Sequence, residues 1–299
     1  MSYASVDVCS PHILAFQTRK DFPMNFVDRA FARRLEAAEE MPQVHYARIY
    51  QQQRPDVGAA VEEICGGHMI FAGLNSPIGR ATALGLDGPV SSSDLDRVEE
   101  FYRSHGAPAQ LDVCPLTDES LLNLVKDRGY ALAELNNVLY RQLSRDEVFP
   151  PPASGVEIRP AKPDEAELWA DVIGRGFREG EPCPPDFAAM FTPLFQIPRS
   201  VPFFAWVDGK LAGGGGGLIV DEHKLIALSG AATLPEFRGR GVQTAVLHAR
   251  LKLAIQEGCD LAVTITRGGT TSQRNAERLG FRVAYSKATV IKQSCAAGR

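Results

Sequence analysis

Residues 235–244, PEFRGRGVQT, join an apolar run to a long helical pattern. The run before it, Leu225–Thr233, predicts a buried strand. The pattern after it, Val242–Gln256, places apolar residues at helical spacing. Gly239 and Gly241 lie in the turn, where the missing Cβ atoms allow the backbone to approach a ligand closely. The stretch therefore predicts a strand, a ligand-binding turn and a helix.

A phosphate group is the ligand best suited to this turn. The start of a helix offers unpaired N–H groups and a positive dipole end, and Arg238 and Arg240 add positive charge. The spacing of a P-loop is absent. A dinucleotide-binding loop would have a third glycine where Thr244 stands, and Asp260 comes before a strand rather than at its end. Both of these phosphate-binding loops fit less well than a third interpretation.

That interpretation is a resemblance to the GNAT superfamily of N-acetyltransferases. Residues 238–243, RGRGVQ, resemble its motif A, Gln/Arg-x-x-Gly-x-Gly/Ala, except that Gln243 replaces the final Gly or Ala. The lead-in at residues 231–235 is similar to the strand and proline that precede this motif. Residues 272–281, SQRNAERLGF, are similar to motif B, which ends in Gly-Phe. The resemblance covers roughly residues 155–292.

The resemblance implies acetyl-CoA, or another acyl-CoA, as cosubstrate. It places the pyrophosphate on the motif A residues Arg238, Gly239, Arg240, Gly241, Val242, Gln243 and Thr244. It places the pantetheine arm, paired like an added strand, on Ala231, Ala232 and Thr233. Asn275 would hydrogen-bond the pantetheine or lie near the thiol, and a backbone N–H near Thr233 would stabilise the oxyanion. The expected reaction is direct attack of an acceptor amine on the thioester.

The family's usual acid and base are missing from this sequence. The tyrosine that often protonates the leaving thiolate would fall at Ala276, and the acidic residue before motif A would fall at Ser229 or Gly230. Tyr285 is a tentative replacement as the catalytic acid, although a tyrosine in a terminal strand also fits a core position. Histidines and cysteines show no metal-ligand spacing, so no metal is expected.

Two further features leave alternatives open. Five consecutive glycines, Gly213–Gly217, lie within a strand pattern that glycine weakens. Either a ligand or partner domain approaches the backbone there, or the strand is bulged. Glu179 and Glu181 suit either a cationic acceptor or an ordinary solvated loop.

A proline-rich linker, Phe149–Gly155, divides the chain into similar halves. Both halves end in a comparable strand, helix and strand, and Gly258 follows Gly106 by 152 residues. We therefore predict a mixed α/β fold of two tandem GNAT-like domains, 1–149 and 155–299. The loop Asp87–Asp94 in the first half lacks motif A, and its Ser and Asp residues are suited to cap the helix Leu95–Ser104. The first domain is therefore predicted to be degenerate.

Composition excludes several other classes. The chain has 32 Lys and Arg against 36 Asp and Glu, a net charge of −4, which argues against an electrostatic nucleic-acid binder. No apolar stretch approaches a membrane span, and the N-terminus does not resemble a signal peptide. The six cysteines are scattered, which favours a reducing, cytoplasmic location.

Together these features predict an acyltransferase that moves an acetyl group from acetyl-CoA to a primary amine of a small molecule or peptide. Its N-terminal domain would shape the acceptor site. The alternative is a non-catalytic sensor or interaction protein that binds acyl-CoA, which the missing tyrosine and acid would favour. The sequence does not indicate the acceptor or the oligomeric state.

Overall fold

The computed structural model describes residues 26–74, 76 and 78–293. Within them the strands are β1 (Ala60–Ile64), β2 (Gly67–Phe71), β3 (Ala81–Thr82), β4 (Gln110–Val113), β5 (Tyr130–Gln142), β6 (Val156–Pro160), β7 (Phe203–Val207), β8 (Lys210–Val220), β9 (Leu225–Thr233), β10 (Leu261–Arg267) and β11 (Arg282–Lys292). The helices are α1 (Arg29–Gln53), α2 (Ser92–Ser104), α3 (Glu119–Asp127), α4 (Ala166–Phe177), α5 (Pro185–Ala189), α6 (Val242–Gln256) and α7 (Thr271–Arg278). Strand β9 and helix α6, on either side of the decisive turn, have the predicted bounds.

The two halves of the chain repeat one order of elements. The succession β3-α2-β4-α3-β5 in the first half corresponds to β9-α6-β10-α7-β11 in the second. In each succession the first two strands are parallel neighbours, whereas the other strand pairs of the sheet are antiparallel. The mixed α/β class and the internal repeat are as predicted.

The two halves form a single sheet because the last strand of each half pairs with strands of the other half. The strand order within the described residues is β1-β2-β3-β4-β11-β5-β10-β9-β8-β7-β6. Strand β5 pairs with β10 and β11, and strand β11 pairs with β4 and β5. The linker 149–155 runs between β5 and β6. The proposed units 1–149 and 155–299 are therefore continuous in sequence but interleaved in the sheet.

Helices cover both faces of this sheet. Along β9, Leu225 and Ala227 face the core that contains α1, whereas Ile226 and Leu228 face the core that contains α6. Helix α4 lies on the same face as α1, and its Trp169 packs beside Gly216 of β8. The alternating burial of one strand thus places α1 and α6 on opposite sides of the sheet.

Helix α1 is the element that joins the two halves on its face. The Asp28 carboxylate caps it by accepting a hydrogen bond from the Phe31 N–H at 2.8 Å. Its buried side includes Leu35 and Ala47, which lie in one core with strand residues from both halves. Glu36 is also buried on this side. A buried acid within an apolar stripe disturbs the helical pattern, and the sequence analysis did not predict this helix.

Glu36 belongs to an ionic cluster at the exchanged strands. The Lys287 side chain on β11 is 1% exposed, and its Nζ lies 2.9 Å from Glu36 Oε2. Lys287 also pairs with Glu39 of α1, and its Nζ lies 3.7 Å from Asp112 Oδ2 on β4. Although burial disfavours its charge, the carboxylates of Glu36, Glu39 and Asp112 hold the pKa of Lys287 well above the usual value. The cluster ties α1 and β4 of the first half to β11 of the second.

The exchange of strands predicts that cutting the linker will not separate the halves. A protease site inserted after Pro151, in the exposed linker, should be cleaved while the two fragments remain one species. Native size-exclusion chromatography checks this, with the unmodified chain treated with the same protease as control. Elution as two separate fragments without denaturant would contradict the exchanged sheet.

Candidate active site

The parallel strands β9 and β10 separate halfway along their length. Leu225 pairs with Leu261, and the pairing continues as far as Leu228 and Thr264. Beyond that point β9 continues to Thr233 beside β8, and β10 continues beside β5. Among the residues that the structure describes, none forms a strand beside the edge of β9 that faces β10 at residues 229–233. The predicted pantetheine-binding residues 231–233 lie on this edge.

A bulge in β9 marks the start of the separation. Between the paired residues Gly214 and Gly216 of β8, one residue, Gly215, faces two residues of β9. One of these two, Gly230, has φ +57°. A Cβ on Gly213 would lie 2.3 Å from the Ala232 carbonyl oxygen, too close for any side chain. The bulge opposite the glycine run is therefore in the neighbouring strand β9 and not in the glycine strand itself, and the close approach at Gly213 is made by the backbone of β9.

The turn after β9 leaves the start of α6 open. Gly239 and Gly241 have φ +77° and +80°, in the left-handed region that favours glycine. Gly241 is the N-cap of α6, and no side chain in the described ranges caps the helix. Within those ranges the first N–H groups of α6 therefore have no side-chain acceptor at the cap, which is the arrangement that binds anions.

The equivalent turn of the first half is closed by side chains. Ser91 caps α2 by accepting from the Asp94 N–H, and the Asp94 carboxylate accepts from the Ser91 N–H at 2.9 Å. The capping box fills the positions that a phosphate would need. This contrast between α2 and α6 is the predicted one.

Both arginines of the turn form exposed ion pairs. Arg238 Nη1 lies 2.5 Å from Glu179 Oε2, and Arg240 Nη2 lies 2.9 Å from Asp208 Oδ2. Arg238 holds the pKa of the Glu179 carboxyl below its usual value. Exposed pairs contribute little to stability, so an anionic ligand can replace these carboxylates at low cost. Glu179 thus lies at the turn with Arg238, rather than in the cavity described next.

A cavity of about 620 Å³ opens between the separated strands. One wall consists of β9, β10, α6 and α7, and Asn275 of α7 donates there to the Gln243 side chain of α6. The opposite wall is contributed by α1 and by the segment that follows α4. This second wall is largely apolar, and its side chains include Pro42, Tyr46, Phe177, Phe187, Met190, Phe191 and Leu194. The cavity therefore brings four of the predicted cofactor residues, Ala231, Gln243, Thr244 and Asn275, together with a surface that belongs partly to the first half. The other predicted cofactor residues, 232–233 and 238–242, do not line it.

Glu39 places a carboxyl group on the α1 side of the cavity. Burial raises the pKa of this carboxyl, although Lys287 acts in the opposite direction. The sequence analysis missed Glu39. Acids spaced at helical intervals usually indicate a solvated face, and nothing in the sequence shows that this face is turned toward the second half.

Tyr285 lies in the buried ionic cluster. Its side chain is 8% exposed, and its hydroxyl donates to Glu36 Oε1 at 2.7 Å. Burial and the nearby Glu36 raise the pKa of Tyr285 far above its usual value. Tyr285 is not among the residues that line the cavity, whereas Ala276 and Ser229, where the usual acid and base would fall, are. The predicted catalytic role of Tyr285 therefore gains no support from its position.

The described residues contain neither a metal-binding cluster nor a membrane-spanning helix. No three or more His, Cys, Asp or Glu residues among 26–74, 76 and 78–293 are grouped so that they could hold a metal ion. No helix within these same ranges is long and apolar enough to cross a membrane.

Comparison with known proteins supports the resemblance seen in the sequence. Residues 167–281 match the model of the acetyltransferase (GNAT) family. A GCN5-related N-acetyltransferase from Kribbella flavida is 16% identical with a TM-score of 0.57, and the match covers 83% of this chain and 95% of that one. A tandem GNAT protein from the clavulanic acid biosynthesis pathway is 12% identical with a TM-score of 0.60, covering 91% and 98%. At these identities the two structures show the fold alone. No curated protein sequence matches the chain significantly.

Substitution of Tyr285 by Phe tests whether this hydroxyl is structural or catalytic. Because the hydroxyl is a buried donor to Glu36, its loss should lower the free energy of unfolding by about 1–2 kcal/mol. Turnover per folded molecule should stay unchanged. Urea denaturation and the rate of CoA release measure the two effects. Reduced turnover at unchanged stability would instead support the role predicted from the sequence.

Proposed function

We propose that this chain, whose residues 167–281 match the acetyltransferase (GNAT) family, is an N-acetyltransferase built from two tandem GNAT-like domains. It transfers an acetyl group from acetyl-CoA to a primary amine of a small molecule or peptide, by direct attack. The observation that carries this proposal is the uncapped start of α6, which opens onto the separated strands β9 and β10. The proposed location is the cytoplasm, where the four described cysteines, which are free thiols, would stay reduced.

We assign the pyrophosphate of acetyl-CoA to residues 238–244. The backbone N–H groups at the start of α6 would donate to it, and the exposed Arg238 and Arg240 would exchange their present carboxylate partners for it. The pantetheine arm would then run along residues 231–233 on the unpaired edge of β9. Asn275, already within reach of Gln243, would donate to it from the other side of the opening.

We assign the acceptor to the part of the cavity between α1 and the aromatic segment after α4. The apolar wall suits an acceptor with a hydrophobic body. An alkyl amine has a pKa of about 10.4 and must lose a proton before it attacks. Glu39 is the residue we assign to accept this proton, because its raised pKa makes it a stronger base than an exposed glutamate.

A non-catalytic acyl-CoA sensor remains the second candidate. The observation in its favour is Ala276, which lines the cavity where the family resemblance places a tyrosine. The two functions differ in turnover, since an enzyme releases CoA faster when an acceptor amine is added. A sensor would bind acetyl-CoA tightly and release no CoA with any amine.

Substitution of Gly241 by Glu should remove acetyl-CoA binding. It places a negative charge at the N-cap of α6, where the pyrophosphate would lie. Calorimetric titration should give one site per wild-type chain and no measurable binding to the variant, with NAD as a negative control. Gly258→Glu is the matched control, since Gly258 has φ +83° and imposes the same backbone strain outside the turn. Equal affinities of Gly241→Glu and Gly258→Glu would refute the assignment of residues 238–244.

Replacing Glu39 by Gln should lower kcat by roughly 10²-fold, because the variant cannot accept the amine proton. Lys287 would keep Glu36 as a partner, so the fold should be retained. Steady-state CoA release across pH measures the effect, and the acidic limb of the kcat profile should disappear. The control is Glu100→Gln, at an exposed glutamate of α2. A wild-type kcat and pH profile in Glu39→Gln would exclude Glu39 as the base.

A further inference from the structure

Arg250 is a buried arginine at the inner end of the cavity. It is 3% exposed and lines the cavity about 10 Å along α6 from Gln243, close to where β9 and β10 rejoin. Its Nη1 donates to the carbonyl oxygens of Gly216 at 2.7 Å and Ser229 at 3.3 Å. Its Nε donates to the Val246 carbonyl at 3.3 Å. These bonds fix the guanidinium against the bulge in β9.

The positive charge of Arg250 has no counterion in the described part of the chain. None of the carboxylates described there forms an ion pair with it, and Nη2 forms no hydrogen bond with any described residue. Burial lowers the pKa of Arg250 to about 10, and no neighbouring acid offsets this effect. Buried charges in proteins are normally paired, because leaving water without a partner is strongly unfavourable.

The glycine run provides the space for this guanidinium. A Cβ on Gly215 would lie 3.1 Å from Arg250 Cζ and 2.8 Å from the Val246 Cγ1 atom. A side chain at position 215 would therefore clash with Val246 and crowd the guanidinium. Hydrogen bonds to three backbone carbonyls alone do not require a charged side chain, since a neutral amide could donate to them. None of the described contacts of Arg250 requires its positive charge.

We propose that the group which enters the inner end of this cavity carries a carboxylate, and that Arg250 recognises it through Nη2. This proposal rests on the proposed function, since the cavity is the one assigned to acetyl-CoA and the acceptor. The carboxylate belongs either to the acyl chain of the CoA thioester or to the acceptor amine. A charge-assisted hydrogen bond in a buried site should distinguish such a ligand from its neutral counterpart by about tenfold or more.

The first experiment compares the binding of different acyl-CoA thioesters to the full wild-type protein. Succinyl-CoA and butyryl-CoA have acyl groups of equal length, and only succinyl-CoA ends in a carboxylate. Calorimetric titration should give at least about tenfold tighter binding of succinyl-CoA if the acyl chain is the source. Acetyl-CoA is titrated alongside both, since failure of all three thioesters to bind overturns the proposed function together with this proposal.

The second experiment tests the acceptor as the source. CoA release at saturating acetyl-CoA is measured with glycine, leucine and phenylalanine, each against its own amide. If the acceptor brings the carboxylate, kcat/KM should be at least about tenfold higher for an acid than for its amide. Binding of acetyl-CoA together with no carboxylate preference in either experiment overturns the proposal and leaves the proposed function intact.

The variant Arg250→Gln connects the preference to this side chain. It removes the charge and places an amide nitrogen where Arg250 Nε donates to the Val246 carbonyl oxygen, so the ratio of the two affinities or rates should fall to about one. A purely structural role would change both members of a pair equally and leave the ratio unchanged, which overturns the proposal. If circular dichroism shows that the variant is unfolded, the comparisons on the wild-type chain decide the question alone.

Discussion

The exchange of the two last strands is the constraint on which the rest of this structure depends. Strand β11 of the second half lies between β4 and β5, and β5 of the first half lies between β10 and β11. Lys287 is consequently buried beneath α1, where Glu36, Glu39 and Asp112 offset its charge. Removing Lys287 would leave these carboxylates buried without the cation that they share. The same cluster sets the position of α1 and so brings Glu39 to the cavity.

The two halves have the same order of elements but differ at the turn that precedes the first helix of that order. In the second half, a turn with two glycines leaves the start of α6 open and two parallel strands diverge beyond Thr264. In the first half, Ser91 and Asp94 close the start of α2, and β3 is only two residues long. The first half contributes α1 instead, which forms part of the opposite wall of the cavity. The second half thus has the open turn and the separated strands, and the first half contributes a wall of the same cavity.

The sequence predicts the local structure of the second half well and the relation between the halves poorly. The apolar pattern of β9, the helical spacing of α6 and the glycines between them are local signals, and they gave the correct elements. The partner of a strand is a property of the whole sheet, so nothing in residues 130–142 or 282–292 indicated the exchange. Glu39 and Arg250 were missed for a related reason. A charged residue on a helix usually faces water, and only the packing of β11 and the bulge in β9 turn these two inward.

The strand order also has a consequence for how the chain is made. Strand β4 ends at Val113 and pairs along one edge with β11, which begins only at Arg282. During synthesis the sheet of the first half therefore cannot be completed until residue 292 has been made. Pairings so distant in sequence form slowly, and a strand edge that waits for its partner is prone to aggregate in the meantime.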